Sequence, residues 1–136
     1  MVRYLLATVL ALAGCSEPPL CSSRATQTAH NPTSGLYAVT EVRNCGATTD
    51  YATIVRIGRA GVLDKDAVEV FVVDSNHGEA TTGYGGAIWT DVSRGAPGKL
   101  QIAFASRARV FKRLPEAQGA VIKYRATDPL TLPPVP

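Results

Sequence analysis

Alternation of apolar and polar residues is the dominant pattern in the middle of this chain, and it predicts β-strands. In one segment, Leu100, Ile102 and Phe104 alternate with smaller or polar residues, as expected for a strand with one buried face. The same criteria predict about seven short strands separated by glycine-containing turns. Their predicted bounds are 36–44, 51–59, 68–74, 87–92, 100–105, 109–112 and 121–124.

The turns between these strands, together with the lack of a helical pattern, define the fold class. Residues 45–50 form a short turn containing Gly46, which predicts a β-hairpin between the first two strands. The segment 68–74 is apolar on both faces, which favours a central strand. No window of helical length shows a 3.6-residue period. We therefore predict an all-β domain, an antiparallel meander folded as one sandwich-like or partly open barrel sheet.

The N-terminus carries a pattern of a different kind. Arg3 precedes ten uncharged residues, 4–13, which are too few for the roughly 20 that a membrane-spanning helix needs. The run Leu12-Ala13-Gly14-Cys15 resembles the lipobox of bacterial lipoproteins. That resemblance implies cleavage before Cys15, lipidation of its thiol, and anchoring in the cell envelope. Ser16 then favours the outer membrane, facing the periplasm. The alternative is an ordinary secretory signal cut elsewhere.

Composition divides the chain into four segments. Residues 1–14 are predicted as a lipoprotein signal peptide and 15–34 as a tether rich in proline and serine. Residues 35–126 are long enough for one β domain with a modest core. Residues 127–136, with four prolines, are predicted as an extended Pro-rich tail.

The three cysteines take different roles under this interpretation. Lipidation of Cys15 leaves Cys21 and Cys45, which we expect to form a disulfide outside the cytoplasm. Closing a loop of about 25 residues would contribute roughly 3.5 kcal/mol in the chain-entropy model. The alternative is two free or buried thiols. A zinc site is not expected, because neither cysteine has a second ligand at the required spacing.

Charge is unevenly distributed along the chain, whose formal net charge is +3. Residues 15–91 contain 5 basic and 9 acidic residues, whereas residues 92–136 contain 8 basic and 2 acidic residues. The basic half predicts a surface for anionic partners such as lipid headgroups, lipopolysaccharide or an acidic protein. The alternative is a solvated strand face balanced by acidic strands nearby. No nucleic-acid partner is expected for an exported protein.

Aromatic residues beside a glycine-rich run add to the candidate binding surface. Tyr84 lies within the glycine-rich loop 81–86 and Trp89 follows that loop, and aromatic side chains often dominate binding interfaces. The alternative for Trp89 is a place in the core. Combined with the basic stretch, the candidate binding surface comprises Tyr84, Trp89, Arg107, Arg109, Lys112 and Arg113.

The segment 74–79 is the candidate for catalysis, because it places an Asp, a Ser, a His and a Glu within six residues. Residues so close on one turn cannot easily converge as nucleophile, base and orienting group. Their spacing also departs from that of a calcium-binding loop. A polar hairpin loop is expected, with a small periplasmic hydrolase as the alternative. We predict no catalytic residue, no metal ligand and no cofactor.

A block of sequence resembles known proteins more specifically. Residues 43–55, RNCGATTDYATIV, resemble a block in small, uncharacterised bacterial exported proteins. The segments 70–78 and 108–111 are also similar to that group, although the turn at 31–35 lacks its aspartate. The resemblance implies a fold and no activity. The sequence therefore predicts a membrane-anchored envelope lipoprotein, a non-catalytic binding or accessory module with an envelope protein or glycan as partner.

Overall fold

The strands account for most of the chain that the structure describes. The computed structural model describes residues 20–61 and 66–129, and this part contains nine β-strands and no α-helix. The strands are β1 (Ser22–His30), β2 (Leu36–Asn44), β3 (Ala52–Arg59), β4 (Val68–Asp74), β5 (Thr90–Arg94), β6 (Lys99–Phe104), β7 (Arg109–Arg113), β8 (Glu116–Ala117) and β9 (Ala120–Ala126).

The strands form two sheets that share one core. The larger sheet has the order β1-β2-β3-β4-β7 and is antiparallel throughout, and the smaller has the order β5-β6-β9-β8. The core contains residues of both sheets, and neither sheet closes into a barrel. The all-β, sandwich-like prediction is confirmed, with two sheets in place of one.

One pairing departs from the predicted antiparallel arrangement. β6 and β9 are parallel neighbours, with Leu100 opposite Ile122. The physical reason is the path of the chain after β6. β7 joins the larger sheet, and the chain then returns through the hairpin of β8 and β9. The two residues of that turn, Gln118 and Gly119, both have positive φ, as a tight type I′ hairpin turn requires.

The predicted hairpin of β2 and β3 is confirmed. These strands pair from Leu36 opposite Arg59 to Arg43 opposite Ala52, joined by the predicted turn. Alternate residues of β2 are buried, whereas β3 buries Thr53, Ile54 and Val55 in succession and so has buried residues on both of its faces. Because β4 follows β3 in the same sheet, the turn between β2 and β3 lies beside the loop that follows β4. This neighbourhood positions the candidate site.

Aromatic packing joins the two sheets at the centre of the core. Phe71 on β4 is fully buried, and its ring centroid lies 4.9 Å from that of Phe104 and 5.3 Å from that of Tyr124. The Tyr124 hydroxyl is within hydrogen-bond distance of the carbonyl oxygens of Val70 and Leu114, at 3.1 and 2.7 Å. Burial raises the pKa of Tyr124 to about 12, so its hydroxyl stays a donor under ordinary conditions.

The segment predicted as a tether contains a strand that the sequence did not reveal. β1 occupies Ser22–His30 and pairs with β2, so the expectation of an unpaired tether is wrong for these residues. β1 is an edge strand whose side chains are mostly exposed on both faces. Such a strand shows no apolar alternation, because neither of its faces packs on the core. Residues 15–19 of the predicted tether lie outside the described residues.

A disulfide fixes β1 to the domain. Cys21 and Cys45 are bonded, with their Cα atoms 4.1 Å apart, which confirms the predicted pair. They extend the ladder by one step beyond the pairing of Ser22 with Asn44. The edge strand is therefore covalently held at its N-terminal end. That end also leads towards residues 1–19, which include the predicted signal peptide and Cys15 and are not described.

Smaller differences concern the ends of strands. The predicted strand 87–92 lies at 90–94, because Ala87 and Ile88 belong to the loop before it. The last strand is longer than predicted and is preceded by the two-residue strand β8. In the described ranges, no helix is long and apolar enough to cross a membrane. Most of the predicted Pro-rich tail, 130–136, is not described.

Candidate functional site

The loops at one end of the larger sheet enclose a polar cleft of about 370 Å³. We call it the polar cleft and define it by Thr48, Thr49, Asp50, Asp74, His77, Arg109 and Phe111. These residues come from three separate parts of the chain: the turn after β2, the loop after β4, and β7. The pairing of β4 with both β3 and β7 brings the three parts together.

An ion pair between the buried carboxylate of Asp74 and the exposed side chain of Arg109 forms one wall of the polar cleft. The Asp74 side chain is 7% exposed and accepts hydrogen bonds from Arg109, whose Nε lies 3.1 Å from Oδ1 and 3.2 Å from Oδ2. Nη2 of Arg109 also contacts Oδ2, and the backbone N–H of Asn76 donates to Oδ1 at 2.9 Å. Burial opposes the charged carboxylate, but these hydrogen bonds outweigh it and hold the pKa of Asp74 below its ordinary value of 3.8.

His77 connects this pair to the turn after β2. Its backbone N–H donates to Oδ2 of Asp50 at 2.9 Å, and its Nδ1 lies 3.7 Å from the same oxygen. Its Nε2 is 3.4 Å from Nη1 of Arg109. Arg109 can donate to that nitrogen only when His77 is neutral and carries its proton on Nδ1, facing Asp50. A chain of polar contacts therefore runs from Asp50 through His77 and Arg109 to Asp74.

The backbone around His77 is held in a conformation that side-chain-bearing residues adopt infrequently. Asn76 and His77 have φ angles of 50° and 58°, and Gly78 follows at 89°. Left-handed geometry at consecutive non-glycine residues requires support from neighbouring groups. The carboxylates of Asp50 and Asp74 supply it by accepting the N–H groups of His77 and Asn76. The imidazole is thereby presented to solvent, with 76% of its side chain exposed.

Phe111 forms the outer rim of the polar cleft. The pairing of β4 with β7 shifts register at this point, so that Val72 lies opposite Lys112 and Val73 opposite Val110. Phe111 is the extra residue of this bulge, and 60% of it is exposed. The Arg109 guanidinium carbon lies 5.1 Å from the centroid of its ring, a distance suited to a cation–π contact. Bulges of this kind redirect side chains at the edges of sheets.

The candidate catalytic segment 74–79 forms a turn in which the side chains face different partners. The Ser75 hydroxyl accepts the N–H of Gly78 at 3.0 Å, and the Glu79 carboxylate lies 3.2 Å from Nη1 of Arg107. In the described part of the chain, no serine hydroxyl contacts His77. Within the same ranges, no group of three or more His, Cys, Asp or Glu residues is arranged to hold a metal ion.

The basic residues of the candidate binding surface each contact a different side chain. Arg107 pairs with Glu79, Arg109 with Asp74, and Lys112 with Glu69 at 3.4 Å. The Arg113 guanidinium lies 5.6 Å from the ring centroid of Tyr124. The first three cations lie next to carboxylates of the loop after β4 or of β4 itself. Their charge is therefore balanced locally.

Tyr84 and Trp89 line a second depression, the aromatic cleft, which has a volume of about 230 Å³. Its other principal residues are Thr26 and Gln27 of β1, Thr40 of β2 and Thr90 of β5. Tyr84 is 79% exposed, whereas Trp89 is half-buried and packs against the core. Of the predicted binding residues, Tyr84 and Trp89 therefore line the aromatic cleft and Arg109 the polar cleft. Neither cleft is lined by the other three, Arg107, Lys112 and Arg113.

Comparisons with protein-family models, curated proteins and solved structures found no match to this chain. The resemblance of residues 43–55 to a block in small exported proteins therefore stays a prediction. The candidate site rests on the geometry of the two clefts.

Stability should depend on pH through Asp74. Its lowered pKa means that the pair with Arg109 stabilises the fold above pH 4, and that this contribution is lost as pH falls below 3.8 towards the lower folded value. We expect Asp74→Asn to cost about 2 kcal/mol at pH 7, since hydrogen bonds to a charged group are lost. Urea unfolding at pH 7 and pH 3 should show this difference shrinking at the lower pH.

Glu116→Gln is the matched control for Asp74→Asn. Its carboxylate is exposed and makes no ion pair with any described residue. This variant should resemble the unmodified protein at both pH values. A difference for Asp74→Asn that is equally large at pH 3 and pH 7 would exclude the buried carboxylate as the titrating group.

Proposed function

We propose that this protein is a lipid-anchored cell-envelope protein that acts as a non-catalytic binding module, with its partner in the polar cleft. The proposal has two parts, a location in the cell envelope and a binding site. The proposed location rests on the N-terminal residues, and the proposed binding site rests on the polar cleft. Each part is tested by its own experiment.

The lipobox-like run ending at Cys15 supports the proposed location in the cell envelope. Arg3, the short apolar stretch and the small residues before Cys15 together suit a lipoprotein signal, and the stretch is too short to span a bilayer. Lipidation of Cys15 would make the membrane a partner through its acyl chains. Ser16 favours the outer membrane, facing the periplasm. A domain tethered there would be within reach of other envelope proteins.

The chain of contacts from Asp50 through His77 to Arg109 is the observation that carries the binding site. A turn, a loop and the strand β7, which are far apart in sequence, hold these side chains in place, so the cleft is preformed and binding need not order it. The side chains of His77 and Asp50 are 76% and 28% exposed, so both keep hydrogen-bonding capacity for a partner. Phe111 and Arg109 belong to residue types that are enriched in protein interfaces.

This geometry favours a protein partner over the alternative hydrolase. A hydrolase would need Nε2 of His77 directed at a nucleophile. That nitrogen instead faces the Arg109 guanidinium, while the Ser75 hydroxyl accepts a backbone N–H. A polar loop of an envelope protein, packed on Phe111 and hydrogen-bonded to Asp50 and His77, suits the cleft.

Site-specific photo-cross-linking tests the binding site in intact cells. Phe111 is replaced in the full-length chain with a photoreactive phenylalanine analogue, and Val121 is replaced in a control chain. Both positions are exposed, at 60% and 43%, but Val121 lies on β9, away from the cleft. We expect a discrete protein adduct from position 111 only. Adducts of equal yield from both positions, or none from position 111, would contradict the proposal.

A further inference from the structure

We propose that the aromatic cleft is a second binding site, and that it takes a neutral sugar unit. This site is separate from the polar cleft and does not depend on it. Three features carry the inference: the uncharged polar lining, the two aromatic side chains, and the size of the cleft.

The lining of the aromatic cleft offers hydrogen bonds without charge. The Thr26 hydroxyl donates to the carbonyl of Thr40 at 3.2 Å, and the Thr90 hydroxyl donates to the carbonyl of Ile88 at 3.0 Å. Each of these oxygens keeps lone pairs that can accept from a sugar hydroxyl. The exposed Gln27 amide makes no hydrogen bond to any described residue, so it can both donate and accept. No Asp, Glu, Lys or Arg side chain is among the described residues that line the cleft.

The edge strand β1 is shaped so that it can supply two adjacent residues to the cleft. Neighbouring side chains of a regular strand point to opposite faces. In β1 the register with β2 shifts between Ala25 and Gln27, and Thr26 is the extra residue. Thr26 and Gln27 consequently both line the cleft. A bulge at this position therefore adds a hydroxyl and an amide side by side.

Two aromatic side chains supply apolar surface beside these polar groups. A pyranose ring has an apolar face of C–H groups and a rim of hydroxyls, so it suits an aromatic ring flanked by hydrogen-bonding side chains. Trp89 is fixed by its backbone, whose N–H donates to the carbonyl of Thr81 at 2.9 Å and whose carbonyl accepts from Ala105 at 3.1 Å. Tyr84 is 79% exposed, so packing in the core does not account for an aromatic side chain at this position.

The turn that carries Tyr84 is held against β1. Gly85 and Gly86 have φ angles of 68° and 83°, which glycine adopts without strain. The Arg24 guanidinium donates to the carbonyl of Gly85 at 3.4 Å. A Cβ atom at Gly85 would collide with that guanidinium. The tyrosine is thus displayed from a turn whose position depends on its glycines.

The volume of the cleft limits the ligand. At about 230 Å³ it is smaller than the roughly 300–1,000 Å³ typical of sites for drug-sized ligands. Such a space suits a single ring of a longer chain. The lack of charge disfavours phosphates and carboxylates, so the expected ligand is a neutral sugar. Its binding should vary little with ionic strength.

Tryptophan fluorescence of the full-length, detergent-solubilised protein tests this site directly, because Trp89 is the only tryptophan in the chain. The probes are chitotriose, maltotriose and cellotriose, titrated to about 10 mM, a range that covers weak sites. We expect at least one probe to change the emission saturably, with a dissociation constant of about 0.1–1 mM that salt does not alter. If none of the three changes the emission, the proposal is overturned.

Variants distinguish a sugar site from a nonspecific response. Tyr84→Ala and Gln27→Ala remove exposed side chains. Each should raise the dissociation constant about tenfold or more while the circular dichroism spectrum stays unchanged. Val121→Ala on β9 should bind as the unmodified chain does. Equal affinity in all three variants would also overturn the proposal. Neither result bears on cross-linking at the polar cleft, so the two proposals can fail separately.

Discussion

Replacing Cys15 with alanine is expected to move the protein from the membrane pellet to the soluble fraction. The reason is that this variant lacks the thiol that would carry the proposed acyl chains, in which each buried CH₂ would contribute about 0.8 kcal/mol to membrane binding. One acyl chain gives marginal attachment, and the two or three chains of a lipoprotein hold firmly. Cell fractionation followed by immunoblotting of both fractions measures the effect. We expect nearly all of the unmodified protein in the pellet and little of the Cys15→Ala variant there.

A variant that lacks the other two cysteines separates the anchor from the disulfide. Cys21→Ser combined with Cys45→Ser removes the bond that holds β1 but keeps Cys15. This protein should be less stable and should still pellet with membranes. A Cys15→Ala protein that continues to pellet with outer membranes would refute the proposal that Cys15 carries a lipid anchor.

Truncation of Phe71 to alanine should lower the free energy of unfolding by about 3–5 kcal/mol. Phe71 is fully buried between the two sheets and contacts the rings of Phe104 and Tyr124. Its removal leaves a cavity that both sheets border, and close-packed neighbours can fill it only in part. Urea denaturation followed by circular dichroism measures the change in the free energy of unfolding.

Phe111→Ala is the matched control, since it truncates the same side chain at an exposed position. With 60% of Phe111 exposed, the expected loss is below about 1 kcal/mol. The contrast between the two variants depends on burial rather than on residue type. Similar losses in both would show that the interface between the sheets is not the core of this fold.

The sequence predicts the strands of the core well because each has a face that the fold buries. β2 buries alternate residues, and the turn with Gly46 identifies the hairpin, whereas β3 and β6 bury consecutive residues along part of their length. β1 could not be found in this way, because an edge strand exposed on both faces has no apolar period. The parallel pairing of β6 with β9 follows from the path of the chain between sheets, which no local pattern encodes.

The polar cleft was predictable only in part. The sequence singles out the segment 74–79 and Arg109, but it does not reveal their contact with Asp50. That contact follows from the register of β3 and β4, in which Thr53 lies opposite Val73. Phe111 owes its place at the rim to a bulge in β7, and bulges leave little trace in one sequence. The contact with Asp50 and the position of Phe111 therefore both depend on how the strands pair.

The cross-link yield at position 111, with and without His77→Asn, tests the binding site most directly. His77 is exposed and has a φ of 58°, a conformation that asparagine tolerates well, so the variant removes the imidazole while keeping the turn. We predict a discrete protein adduct in the parent chain and a yield reduced about tenfold by His77→Asn. An adduct of unchanged yield in the variant would contradict the claim that the polar cleft binds a partner.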